Sequence, residues 1–351
     1  MRETRRESRR KLLAVAPSQG VHARVLQCGA MPPTLLVIED PNSEYLRALD
    51  SVRAQATMTV SNQLDVLLEA APKADVILAG YLKAEMLPAV FPRAVRARWV
   101  HSLRAGVEKV LFPELIASPV TFTNGRGAYK RQLADFVMAA VLFFAKDLRR
   151  MISNQEAGVW APFDPEDVEG KVMGIVGYGE IGRACAERAR PFGMKILGLR
   201  RRPELSRGDA LPEKMFGLDH LREMLSACDY VLLAAPNTAA TRHLMGKPEI
   251  DLMKPVAVLI NVGRGSLVDE AALTQALEEN RIRGAALDVF ETEPLPSGHP
   301  FYRLENLLLA PHCADQVPLW RERALQDFVR NFERFCRGEA LENVVDKDAG
   351  Y

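Results

Sequence analysis

The sequence predicts an α/β protein with two doubly wound parallel sheets, and three observations predict it. Apolar strand-like runs alternate with short helical segments from Thr34 nearly to the C-terminus. One run leads straight into the glycine turn Gly177-Tyr178-Gly179-Glu180-Ile181-Gly182, then a helical segment, then a second apolar run. The length, 351 residues, suits about two domains, each with a sizeable core.

In chain order, residues 1–33 come first and show no periodic pattern. They hold seven Lys or Arg against two Glu, a balance of +5; with the whole chain at +1, the remainder carries −4. An Arg-rich, acid-poor leader has the composition of a plastid or mitochondrial transit peptide. A disordered tail or a misassigned start fits equally well, and the protein is expected to be cytoplasmic, with the organelle as the alternative. Strands are then predicted at 35–38, 56–60, 76–79, 98–101 and 120–123, with short helices between them. Residues 130–150 read as one long helix, with Leu133, Phe136, Val137, Ala140, Val141 and Phe144 at i, i+3, i+4 spacing. Met138 and Phe143 lie off that stripe, so the helix is expected at a junction between domains or subunits. Residues 156–169, rich in Pro, Asp and Glu, read as a loop. Strands at 172–176, 196–199, 230–234, 256–262, 285–289 and 307–310 follow, and six is the count of a full dinucleotide domain. Residues 317–337 close the chain as an amphipathic helix.

Composition excludes several classes. Apolar residues make 48% and charged residues 26%, as in ordinary globular proteins. A net charge of +1 argues against a nucleic-acid or membrane-surface partner. The longest apolar run, 136–145, falls short of the roughly 20 residues that span a bilayer. Cys28, Cys185, Cys228, Cys313 and Cys336 are scattered with no CxxC, which fits a reducing compartment and no zinc site.

The glycine turn carries the first chemistry. Gly177 makes the tight turn, Gly179 lets the backbone approach a pyrophosphate, and Gly182 lets the helix pack close to the strand. Tyr178, Glu180 and Ile181 complete the turn, whose helix N-terminus offers unpaired N–H groups to an anion. About 20 residues past the glycines, an NAD site carries an acid for the ribose 2′-OH. Arg200, Arg201 and Arg202 stand there instead, and guanidinium groups bind a 2′-phosphate that an acid would repel. The expected cofactor is NADP(H), with NAD(H) as the second option.

Ligands of open α/β sheets sit at the carboxyl ends of the strands. Arg264 follows one predicted strand, Glu293 the next and His312 the last, all on the glycine turn's edge. Hydride transfer to a ketone creates an alkoxide that must be protonated. His312 can give that proton and take it back, Glu293 can orient the ring and favour its charged form, and Arg264 can grip a substrate carboxylate and polarise the carbonyl.

These residues sit in longer motifs: HSLRAGVEKV, VTFTNGRG, GYGEIG, INVGRGSLVDEAAL, RGAALDVFETEP and NLLLAPH, in that order. The chain resembles the D-isomer-specific 2-hydroxyacid dehydrogenase family, in its NADP-type glyoxylate/hydroxypyruvate reductase branch. The resemblance runs from about Thr34 to Val345. It implies two Rossmann-like domains, a coenzyme domain (130–313) inserted into a substrate domain (34–129 and 314–351). It implies Arg264, Glu293 and His312 as the catalytic trio, with the loop amides near Ala105 and Gly106 receiving the substrate carboxylate. Asp288 would hold the nicotinamide carboxamide, and Ala235, Pro236, Val262 and Gly263 would line the cofactor. A homodimer paired through the coenzyme domain and long helix is expected, acting on a small 2-keto or 2-hydroxy acid such as glyoxylate, hydroxypyruvate or pyruvate. The alternative is a nucleotide-sensing corepressor-like binding protein on the same fold, but the intact trio and the lack of a long polar tail speak against it.

Some residues depart from the family pattern. Glu293 stands where formate-oxidising relatives carry Gln, which disfavours that branch. Asp135 replaces a usual Glu. Arg104 either adds a second positive contact for the substrate or points to solvent, and Trp320 either walls the pocket or packs between domains. Cys313 reads as a small packing residue.

Overall fold

The computed structural model describes residues 32–350, so all but the end of the predicted leader, with Cys28, lies outside the described residues. The first sheet holds β1 (Thr34–Ile38), β2 (Thr57–Ser61), β3 (Val76–Ala79), β4 (Trp99–Ser102) and β5 (Thr121–Asn124). Its order is β2-β1-β3-β4-β5 and every pair is parallel. The sequences TLLVI and VILA have no polar face because both faces of a central parallel strand are covered.

The C-terminal helix Trp320–Arg337 returns to cover this sheet. Its Phe328, Phe332 and Phe335 pack on Trp99 of β4, with ring centroids 5.1, 6.5 and 5.6 Å away. All three phenylalanines are fully buried, each contributing on the order of 2 kcal/mol. Gly338, in the left-handed region at φ 69°, ends the helix.

The second sheet holds β6 (Val172–Val176), β7 (Lys195–Leu199), β8 (Lys214–Phe216), β9 (Tyr230–Leu233), β10 (Val258–Asn261), β11 (Gly284–Leu287) and β12 (Leu307–Leu309). The order is β12-β11-β10-β9-β6-β7-β8, parallel throughout. Seven strands stand where six were expected. The extra one, β8, has three residues on the sheet edge, too few to show a pattern. Strand order reverses between β9 and β6, which opens a crevice at their carboxyl ends.

The long helix of the sequence reading is two helices. Lys130–Ala145 ends, and Leu148–Glu156 begins after Asp147 at φ 49°. A short polar side chain tolerates the left-handed region, so the periodic apolar pattern carried on while the backbone turned. The first helix is buried on several sides, Met138 included, and packs along the helix Glu180–Ala189. Among the described residues no helix is long and apolar enough to cross a membrane.

Candidate active site

The glycine turn at the end of β6 has the shape a pyrophosphate needs. Gly177 lies at φ 93°, and its N–H and that of Tyr178 both donate to Leu199 O at 2.9 Å. A Cβ on Gly177 would come within 2.5 Å of Ala235 N, so only glycine lets the turn lie against the end of β9. A Cβ on Gly182 would sit 2.8 Å from Gly177 O and from Ile175 Cγ2, which is the close helix packing expected there. Around Gly179 there is open space within 4 Å, at the N-terminus of a ten-residue helix. The residues fit a dinucleotide. Ala235 is buried beside Gly177, Val262 is buried, and Gly263 faces Ala235 O, while Pro236 is exposed at the same edge.

The other turn residues face elsewhere. The Tyr178 ring is buried and its hydroxyl donates to Asp209 at 3.1 Å, so its side chain belongs to the core. Ile181 also packs on the core. Glu180 pairs with Lys130 of the long helix. At the end of β7, Arg200 donates through Nη1 to Ser206 Oγ at 2.9 Å, while Arg201 and Arg202 are exposed.

The trio comes from three neighbouring strand ends. Asn261, at the end of β10, is buried and clasps the next turn from both sides. Its Oδ1 accepts from Gly263 N at 3.0 Å and its Nδ2 donates to Arg264 O at 2.9 Å. Any side chain at Gly265 would overlap the Phe290 backbone, so glycine brings this turn onto the end of β11. Beyond β11, Glu293 Oε1 accepts from Phe290 N at 3.0 Å, and Oε2 meets His312 Nδ1 at 2.7 Å. A carboxylate can only accept, so Nδ1 carries a proton and donates it to this bond. His312 itself sits at φ 51°, held by its N–H on Ala310 O and by Gln316 Nε2 on its carbonyl. A non-glycine residue in that region is costly and is held there by its surroundings.

Asp288 is almost fully buried, and its Oδ1 accepts from Cys313 N at 2.8 Å and Ala314 N at 3.1 Å. It pins the loop that carries His312. Burial pushes its carboxyl up to about 6, although those two N–H groups and His312 pull the other way. Asp315 is raised by burial too, with His312 and Arg264 opposing the shift.

The first sheet supplies the facing wall. Gly106 abuts the Arg264 guanidinium, and Ala105 O accepts from Asn124 Nδ2 at 2.6 Å. Among the described residues, the Ala105 and Gly106 N–H groups have no hydrogen-bond partner. Arg264 Nε donates to Glu108 Oε1 at 3.0 Å, and Nη1 donates to Gly263 O at 2.7 Å. Arg104 donates to Tyr81 O at 2.6 Å, so it braces the next loop. Trp320 packs within its own domain, and the cavity beside it holds none of the trio. Its ring lies edge-on against Tyr81 and Tyr129 at 4.8 and 5.9 Å, and it lines that cavity of about 640 Å³ with Tyr45, Leu82 and Gln316. A larger cavity of about 1000 Å³, between the long helix and the C-terminal helix, contains none of the trio. Glu39, fully buried at the end of β1, fixes this wall by accepting from Tyr81 N at 2.8 Å, Leu82 N at 3.1 Å and Tyr45 OH at 2.5 Å.

Sequence reasoning missed Glu39, Glu108, Asn261 and Asp315. Asn261 and Glu108 lie inside quoted motifs, but nothing local shows that one clasps a turn or that the other reaches across the cleft. Glu39 carried one usable signal, a charge directly after an all-apolar strand.

Comparison with known proteins gives matches along most of the chain. The family profile described as D-isomer specific 2-hydroxyacid dehydrogenase, NAD binding domain, matches residues 138–314. A glyoxylate reductase of Thermococcus gammatolerans is 36% identical over 295 residues, covering 81% of this chain and 86% of that protein. A glyoxylate reductase of Korarchaeum cryptofilum is 36% identical over 267 residues, 74% of this chain and 79% of that protein. The solved D-isomer specific 2-hydroxyacid dehydrogenase from Xanthobacter autotrophicus Py2, in complex with NADPH and MES, superposes with a TM-score of 0.80 at 28% identity, over 92% of this chain and 100% of that one.

Proposed function

We propose that this chain, which belongs to the D-isomer specific 2-hydroxyacid dehydrogenase family and is an NAD(P)-dependent oxidoreductase, works as an NADPH-consuming reductase of a small 2-keto acid of the glyoxylate, hydroxypyruvate or pyruvate class. The observation that carries this is the His312–Glu293 pair, joined at 2.7 Å, on the same sheet edge as Arg264 and the glycine turn.

Gly177 and Gly179 would hold the cofactor's pyrophosphate, Gly182 keeps the helix packed close behind them, and Ala235, Pro236, Val262 and Gly263 would flank the rest. Asp288 would hold the nicotinamide carboxamide, and its Oδ1 keeps the His312 loop in place. The bound nicotinamide supplies the hydride. The substrate carboxylate lies on the Ala105 and Gly106 N–H groups and on Arg264 Nη2, which also polarises the carbonyl. Because Glu293 holds Nδ1, the His312 Nε2 is the atom that gives a proton to the new alkoxide. In the reverse direction the same nitrogen takes it back.

Cofactor choice rests on Arg200, Arg201 and Arg202. Arg201 and Arg202 are exposed where a 2′-phosphate would lie, and Arg200 Nη1 donates to Ser206. The Xanthobacter neighbour binds NADPH, and glyoxylate reduction is the named activity of the archaeal relatives, which supports the reading. A homodimer also belongs to it. Leu148, Met151, Ile152, Val159 and Trp160 form an exposed apolar arm after the long helix, with Trp160 at 95% exposure, and such a patch marks an interaction surface.

The test is a panel of 2-keto acids with NADPH and NADH in parallel. Turnover of at least one acid, faster with NADPH, is expected. Turnover with NADH at least as fast removes the arginine argument. Tight NADPH binding with no turnover on any acid removes the enzyme reading. Light scattering of the purified protein should give twice the chain mass, and a monomer removes the dimer.

A further inference from the structure

We infer that Glu108 is a positioning residue for Arg264, setting the angle at which the guanidinium meets the substrate. Arg264 stands beyond the end of β10 in the second sheet, and Glu108 in the loop after β4 in the first. Their ion pair therefore crosses the cleft, 156 residues apart in sequence, with Nε donating to Oε1 at 3.0 Å. Both side chains are about one-third exposed, so the pair is sheltered but not sealed.

The guanidinium is planar, and two contacts on different nitrogens fix its plane. Glu108 takes Nε and Gly263 O takes Nη1. That leaves Nη2, which lies against Gly106 beside the two unpartnered loop N–H groups. Nη2 thus faces a loop where a carboxylate would find two backbone donors. Without Glu108 the guanidinium can turn about its side-chain torsions and lose that alignment. Glu108 also acts on charge. It offsets the arginine, so a substrate anion binds a partly neutralised site. Removing Glu108 therefore pushes two quantities apart: alignment at the reacting carbonyl worsens, while net attraction for the anion rises.

This split separates positioning from a substrate contact or a merely structural role. It rests on the reductase reading, so wild-type protein must first reduce a 2-keto acid with NADPH. Glu108→Ala should then lower kcat about 10- to 100-fold, the worth of one charge-assisted hydrogen bond, with KM for the keto acid unchanged or lower. Glu108→Gln keeps the hydrogen bond without the charge and should fall between Ala and wild type. Glu108→Asp should recover part of kcat by restoring the charge. NADPH affinity and Tm should stay at wild-type values throughout. A kcat of the Ala variant within about twofold of wild type overturns the inference alone. So does a raised KM with kcat intact, which would make Glu108 a substrate contact, or a fall in Tm that tracks the fall in kcat. A wild type inactive on every acid overturns the reductase reading, and the inference with it.

Discussion

Gly106→Ala should disable the site while leaving the fold intact. A Cβ on Gly106 would sit 2.9 Å from Arg264 Cζ and 2.6 Å from Glu108 Oε2, and would overlap Arg264 Nη2. Carbon atoms pack at about 3.5 Å or more, so Cζ must retreat by about 0.6 Å and Nη2 by more than about 1 Å. The obstructing atoms are the ends of two flexible side chains, so they swing away at little cost to stability. The chemistry is less forgiving. A displacement of about 1 Å in a positioning group costs on the order of 100-fold in rate, or about 2.7 kcal/mol in ΔG‡. The assay is kcat/KM on the best keto acid, with NADPH affinity and Tm measured on the same preparation. The expected result is a loss of about 100-fold in kcat/KM, with Tm within about 1 °C of wild type, a change of under about 1 kcal/mol. A variant within about threefold of wild type would refute the seating of Arg264 against this loop. A large fall in Tm would mean that the clash lands on backbone instead.

The two glycines of the cofactor turn should behave differently. Gly179→Ala meets open space, so Tm should hold while NADPH binding weakens; Gly182→Ala meets Gly177 O at 2.8 Å, so calorimetry should show a lower Tm as well. Equal Tm values for the pair would contradict this packing. His312→Ala should lower kcat by about 100-fold or more, Glu293→Gln should lower it less, and the double variant should be no slower than His312→Ala alone, because the two act as one unit. Additive losses would argue that they work separately. His101 bears on acid stability: it is fully buried between Trp99 and Phe328 with Nε2 unpartnered, and burial lowers it to about 3. Its folded value lies below the unfolded value of about 6.5, so its contribution is complete above that pH and is lost as pH falls toward 3, on the order of 5 kcal/mol over the window. His101→Gln should flatten the fall of Tm between pH 7 and pH 4.5; an unchanged slope would place the acid sensitivity elsewhere.

Much of this was written in local sequence. A two-residue period or an all-apolar run favours a strand, so eleven of the twelve strands among the described residues lay close to where the runs put them. The glycines announced themselves because a positive φ at Gly177 and a close approach at Gly182 admit no side chain. The shared edge of His312, Glu293 and Arg264 was legible because each lies in the loop that follows a strand, and parallel strands put their carboxyl ends on one edge.

What stayed hidden needed the chain to be folded. Asp147 broke a helix whose apolar pattern ran on, because a single left-handed residue turns the backbone without altering the period. Tyr178 stands in the cofactor motif, yet its side chain goes to the core, since its direction depends on Asp209 and on Gly198, where a Cβ would press on the ring. Glu108 is the plainest case. Its residue type and spacing say nothing about Arg264, because the pair exists only where one sheet docks against the other. Local sequence sets φ, period and strand ends through near neighbours. The approach of two charges from different sheets is set by how the whole chain packs.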